Sequence, residues 1–302
     1  MVPFEWGRGR PFDATFTGLA GFLSLLHIRV EVSAMLDPSS TTSLHHDHEG
    51  AAAQPASTPV PASALRLRKA SDRGRSDHGW LRSAFSFSFA DYFDPAHSSF
   101  GALRVINDDR IAPRGGFPMH PHRNFDIFSY VLEGQIAHRD SMGNGSTVAA
   151  GGVQFMSAGS GVRHSEVNPS ADEPLRILQV WLSPAVLDGA PRYEVLGPEE
   201  VDRRGRLAPI ITQSGQAGTI KTDAPADVYA GRFTGEEAAR FTVRTGRQCW
   251  VQVANGSLSV AGLRLSEGDG LAITASGEVS LAGGEDAEIL LFDLEAEAPS
   301  AG

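Results

Sequence analysis

The sequence predicts an all-β protein made of two β domains in tandem. From residue 65 onward, short apolar runs rich in Val, Ile, Leu and Phe are punctuated by Gly, Pro, Asn and Asp. These runs fall into two successive series, and helical periodicity is weak throughout, being strongest over Gly235–Arg240. Many short strands at even spacing bury their apolar faces by closing into sandwiches or barrels, whereas parallel α/β folds need a helix between strands.

The first series runs through Gly101–Ile106, Phe125–Leu132, Gln135–Arg139, Gly152–Ser157 and Leu175–Leu182. Turn signals separate these strands at Asp108-Asp109 and Gly143-Asn144-Gly145. The run LRILQVWL at 175–182 alternates and should be half-buried. After a linker around Ala190–Gly205 come Leu207–Gln213, Asp227–Phe233, Cys249–Ala254, Ser257–Val260, Gly270–Thr274 and Glu288–Leu294. The predicted domains are therefore 65–190 and 191–297. Residues 1–64 read as a low-complexity leader, rich in Ser, Thr, Pro and Ala over Asp37–Ser63 and expected to be disordered. Translation starting at Met35 or later would account for the leader equally well. The apolar stretch Thr15–Ile28 has the layout of a signal h-region but is shorter than the roughly 20 residues a membrane span needs. The tract His45-His46-Asp47-His48-Glu49 has no scaffold to fix a metal geometry. The expectation is a cytoplasmic monomer without membrane contact.

Composition narrows the chemistry. A net charge of −10, with Lys69 and Lys221 the only lysines, argues against a nucleic-acid footprint. A single cysteine, Cys249, excludes an internal disulfide framework and CxxC zinc sites, and is expected to be a small buried hydrophobe. Ser160 lacks the outer glycines of a hydrolase nucleophile elbow. Histidine and carboxylate remain, and none of the 10 histidines follows His164. Any histidine site therefore belongs to the first domain.

Two motifs carry such a site. In His120-Pro121-His122, residues i and i+2 of an extended chain project to one face and present two imidazoles to one point. His164-Ser165-Glu166 repeats the pattern with one imidazole and one carboxylate. Three neutral imidazoles and a carboxylate suit Fe(II), with Mn, Co, Ni, Cu or Zn also possible.

These motifs stand in a wider context. Arg68-Lys69-Ala70-Ser71-Asp72-Arg73-Gly74, His78-Gly79-Trp80-Leu81, Leu103-Arg104-Val105-Ile106-Asn107-Asp108-Asp109 and His120-Pro121-His122-Arg123 are followed by Tyr130-Val131-Leu132-Glu133-Gly134, His138-Arg139-Asp140-Ser141-Met142-Gly143-Asn144 and Gly161-Val162-Arg163-His164-Ser165-Glu166. Together they resemble the pirin family of bicupin proteins, in particular its bacterial quercetin 2,3-dioxygenases. The similarity extends over about Leu65–Leu294 and is densest between 68 and 183.

The resemblance implies two tandem jelly-roll (cupin) barrels, with His120, His122, His164 and Glu166 as metal ligands in the first and a metal-free second cupin. It implies an oxidoreductase that opens the central ring of quercetin-like flavonols with O2 and releases CO, with Glu166 taking the proton of the flavonol 3-hydroxyl. The alternative it carries is a metal-binding regulatory or redox-sensing protein that acts on a protein partner. Asp126 stands where the family usually has Glu; it is expected to stand behind the ligands and steady a histidine N–H. Phe117, Met119, Phe125, Phe128 and Met156 form a pool for an apolar substrate slot, half of which must point away by strand alternation. His138 is a further candidate for contact with substrate.

Overall fold

The computed structural model of the chain describes residues 58–296; the stretches Thr15–Ile28 and His45–Glu49 lie outside them. The first half of the described chain runs Leu65–Arg68 (β1), Gly74–Asp77 (β2), Leu81–Phe85 (β3), Leu103–Ile111 (β4), Gly116–His122 (β5) and Asp126–Glu133 (β6). It continues through Gln135–Asp140 (β7), Gly145–Ala149 (β8), Val153–Ser157 (β9), Val162–Val167 (β10), Leu175–Leu182 (β11) and Arg192–Leu196 (β12). The second half comprises Leu207–Thr212 (β13), Ile220–Lys221 (β14), Ala226–Gly235 (β15), Ala239–Val243 (β16), Arg247–Val260 (β17), Leu263–Ser266 (β18), Gly270–Ile273 (β19) and Gly277–Glu295 (β20).

Three sheets result. A seven-stranded sheet, β12-β9-β6-β11-β4-β3-β2, and a four-stranded sheet, β5-β10-β7-β8, form the first barrel. A nine-stranded sheet in the order β1-β19-β17-β20-β15-β13-β14, with β16 on β20 and β18 on β17, curls into the second. The protein is a bicupin, as expected. Its first strand nevertheless pairs with the other half of the chain, since Leu65 lies opposite Ile273 and Arg68 opposite Gly270. Thr58–Ala64, placed in the leader by composition, are also seated on the second sheet. Val60 is only 8% exposed, and its N–H donates to Glu278 O.

Two other sequence expectations give way to long-range partners. Asp108-Asp109 lies in the middle of β4 instead of turning, because Asp108 is held in a forked ion pair by Arg176 from β11. The helical signal at Gly235–Arg240 becomes the turn from β15 to β16 and the start of that strand. Pairing of β16 with β20 outweighs weak local helix propensity. The Gly143-Asn144-Gly145 turn forms as expected, with Gly143 at φ 94° and Asp140 Oδ1 accepting the N–H groups of Met142 and Asn144.

Alternation along β6 shows how the core is divided. Phe128 and Tyr130 point toward the second barrel and join Leu178, Val180, Trp250, Leu290 and Phe292 in an apolar layer between the barrels. Ile127 and Val131 point into the first barrel. The interior of the second barrel is apolar, with Cys249, Val251, Leu258, Leu271 and Leu291 packed together, and Cys249 is the buried hydrophobe expected. Inside the first barrel two smaller apolar clusters form, one around Val131, Ile136 and Ile177 and the other around Ile127, Met156 and Val162. Polar side chains, including Ser129, His164 and Glu166, are also buried in this barrel.

Candidate metal centre

The four-stranded sheet supplies the histidines. Gly116 lets β5 lie close against β10, since a Cβ there would meet Glu166 O and Val167 Cα at 2.5 Å. His120 is then directly opposite His164 in the register, and His122 opposite Val162. The ligand atoms of His120, His122 and His164 lie within 4.8 Å of one another, with Nε2 of His120 3.2 Å from Nε2 of His164. The Pro118 carbonyl can only accept, so its 2.7 Å contact places the hydrogen of His120 on Nδ1 and leaves the Nε2 lone pair facing its neighbours.

Burial, reinforced by the neighbouring rings, lowers the pKa of His122 to about 3 and that of His164 to about 2. His120 is lowered for the same reason, with Arg163 adding to the effect. All three are neutral donors at pH 7, and Nδ1 of His164 is buried without a hydrogen-bond partner. Three neutral imidazoles whose ring nitrogens converge on one point are what a divalent metal ion requires, so the donor set fits one.

Glu166 stands apart from this trio. It groups with His164 and His138, again within 4.8 Å, in a second set that shares His164 with the first. The register slips between His164 and Glu166 where β10 meets β5, yet stays regular against β7, bringing Glu166 opposite His138. Both carboxylate oxygens are held by the opposite sheet. Ser129 Oγ donates to Oε1 at 3.1 Å and Gln179 Nε2 donates to Oε2 at 2.9 Å. Trp181 Nε1 in turn donates to Gln179 Oε1 at 3.3 Å, which fixes the amide orientation. Complete burial raises the Glu166 pKa to about 7 despite these two donors.

His138 is buried, with Nε2 3.2 Å from Asp140 Oδ2 and its ring stacked on Tyr193 at 4.4 Å between centroids. Its Nδ1 is buried without a partner. Burial lowers its pKa more than Asp140 raises it.

The residues of the substrate pool lie in different places. Phe125 and Met156 lie in the cluster with Ile127 and Val162, and Phe125 packs on Trp181 at 5.2 Å. Trp181 meets the His122 ring edge to face at 4.8 Å. Phe117 is 6.4 Å from the His120 ring, and Met119 is 45% exposed. Phe128 faces the second barrel and lines no part of the site. Asp126 is also corrected: Oδ2 accepts from Thr222 Oγ1 at 2.7 Å and from the Asp223 N–H at 2.8 Å, so its hydrogen bonds join the barrels and none reaches a histidine. Sequence reasoning missed Ser129, Gln179 and Trp181. The signal for the first two was an uncharged polar residue among apolar neighbours, in 127–132 and 177–182.

The buried carboxylate carries a measurable cost. Between the ordinary value of 4.5 and the folded value of about 7, the folded state binds more protons than the unfolded one. The stability of metal-free protein should therefore fall as pH rises through that window. Glu166→Gln is expected to stabilise chelator-stripped protein by about 2–3 kcal/mol at pH 8 and by little below pH 4.5, as read from urea unfolding.

A polar cluster of histidines and carboxylate inside one barrel of a two-barrel, all-β chain defines a metal-binding bicupin with one site for a divalent ion. The match to the Pirin family model over residues 66–182, and to the quercetinase C-terminal cupin domain over 209–294, makes the chain a member of the pirin family. It is 42% identical over 230 residues to a quercetin 2,3-dioxygenase of Escherichia coli K12, covering 76% of this chain and 98% of that one. A pirin-like protein of Caulobacter vibrioides is 40% identical over 230 residues, covering 75% and 98%. Among solved structures, the E. coli bacterial pirin YhhW in complex with nickel(II) superposes with a TM-score of 0.73 at 40% identity, over 77% of this chain and all of that one. A quercetin 2,3-dioxygenase of Acinetobacter baumannii shares the fold with a TM-score of 0.60 at 20% identity, over 80% and 87%. Among the described residues, no helix is long and apolar enough to cross a membrane.

Proposed function

We propose that the protein is a metal-dependent quercetin 2,3-dioxygenase that opens the central ring of a flavonol with O2 and releases CO. The observation that carries this is the convergence of His120, His122 and His164 beside a buried Glu166, in a chain whose relatives bear that name. The three imidazoles would hold the ion and Glu166 would complete the set. Fe(II) suits these donors best, with Mn, Co, Ni, Cu or Zn as alternatives. When bound, such an ion supplies a Lewis acid that acidifies a hydroxyl and a centre at which O2 reacts.

The remaining roles fall to side chains. A carboxylate beside the bound ion would serve as the general base, which suits Glu166 to taking the proton of the flavonol 3-hydroxyl. Ser129 and Gln179 keep that carboxylate from swinging away, since each holds one oxygen. Trp181 and Phe125 offer an aromatic wall beside His122 for a flat ring system, and with Met156 behind them they keep water from that side.

The test is to strip the protein, reload it with each divalent ion in turn, and follow the loss of the quercetin absorbance band under air while trapping CO. Turnover with CO release by at least one loaded form is expected, with Glu166→Gln falling by about 10²-fold or more, the scale of general-base loss. If no loaded form consumes any flavonol, the dioxygenase reading is wrong.

A further inference from the structure

The face of the seven-stranded sheet opposite Ser129 and Gln179 carries a second concentration of charge. Reading across the register, Asp77 lies opposite Arg82, Arg82 opposite Arg110, Arg110 opposite Arg176, and Arg176 opposite Glu133. Three arginines thus occupy consecutive strands at one level, an arrangement in which like charges repel unless anions compensate them.

Compensation is uneven. Arg176 is satisfied by Asp108, Glu267 and Asn255 at 2.7–2.9 Å. Arg110 has Glu133 and Glu267 at 3.6 Å. Arg82, and Arg75 beside it on β2, are exposed and form no ion pair among the described residues. Beneath them lies Arg73, whose side chain is only 8% exposed. Its Nε and Nη1 are buried without a hydrogen-bond partner. The carboxylate it pairs with, Asp108, is 3.7 Å from Nη1 and already forked to Arg176. Arg73, Arg75, Arg82 and Arg110 line one cleft of about 530 Å³.

We propose that this cleft binds a small phosphate-bearing ligand, with Arg73 at its base and Arg75 and Arg82 at its mouth. A planar carboxylate is satisfied by one guanidinium fork, whereas a phosphate has acceptor oxygens in several directions and is matched by guanidiniums from separate strands. Asp77, Asp108 and Glu267 line the same cleft. They would repel a run of phosphates such as a nucleic acid while leaving room for a single group. In a chain of net charge −10 the cluster acts at contact range and not by long-range attraction.

Calorimetry on the full chain at low ionic strength tests this, using inorganic phosphate, phenyl phosphate and citrate, with and without bound metal. Saturable one-to-one binding of both phosphates is expected, tighter than that of citrate and unchanged by metal removal. Arg75→Gln/Arg82→Gln, both exposed and so neutral for folding, should weaken it about tenfold or more, and Arg73→Gln should abolish it. Absence of saturable binding, indifference to the double substitution, or dependence on the metal would each overturn the site. Citrate binding as tightly as phosphate would overturn the ligand class.

Discussion

Replacing His164 with alanine is expected to remove the metal and the turnover together. His164 is fully buried, lies opposite His120, and is the one imidazole common to both groups of converging donors. Without it, His120 and His122 remain on β5 with Glu166 held on the far side by Ser129 and Gln179. Loss of a residue that merely supports a ligand costs metal affinity about 10–100-fold. Loss of the shared ligand should exceed that, so the metal-to-protein ratio by mass spectrometry should drop from near one to near zero. Because burial keeps the imidazole unprotonated, with a pKa near 2, this loss should be the same at pH 6 and pH 8. A variant that keeps stoichiometric metal would show that the donors lie elsewhere.

Arg176→Ala is expected to be the most damaging single change to stability. Its guanidinium is 3% exposed and forks onto Asp108, while also donating to Asn255, the Ala254 carbonyl and Glu267 from the second barrel. Removing one partner of a buried ion pair strands the other, at a cost of about 3–5 kcal/mol. For a chain of this size that corresponds to a fall of roughly 10 °C in Tm. Removing both charges in Arg176→Met/Asp108→Leu should recover most of the loss. A cost below about 1 kcal/mol for Arg176→Ala in thermal or urea unfolding would show that the cluster does not join the barrels.

The candidate site was legible because strand geometry is local. His120 and His122, and His164 and Glu166, are spaced at i,i+2, and alternation alone places each pair on one face. Their convergence was less legible, since the pairing of β10 with both β5 and β7 brings the two pairs together and sets Glu166 opposite His138, and the extra residue that β5 carries opposite His164–Glu166 leaves no mark in the spacing. Alternation also foretold that part of the apolar pool would face away, as Phe128 does toward the second barrel and Met119 does toward solvent. Asp126 and Asp108-Asp109 were misread for a common reason. A carboxylate suggests a turn or a support for a ligand until its partner is known, and these partners, Thr222, Asp223 and Arg176, lie about 70–100 residues away. The strands β2, β3, β8 and β14 are short, and the neighbours they pair with do more to define them than their composition does.

The pairing of β1 with β19 bears on how the chain is made. Leu65 meets Ile273 about 200 residues later, so a strand that leaves the ribosome early must wait until almost all of the chain has been synthesised. The seven- and four-stranded sheets draw every strand from β2 to β12 and are complete before β13 is made. The histidine cluster can therefore assemble while the second half is still unfolded. Seating of the early segment is left as a late step, closing a loop that spans the whole first barrel.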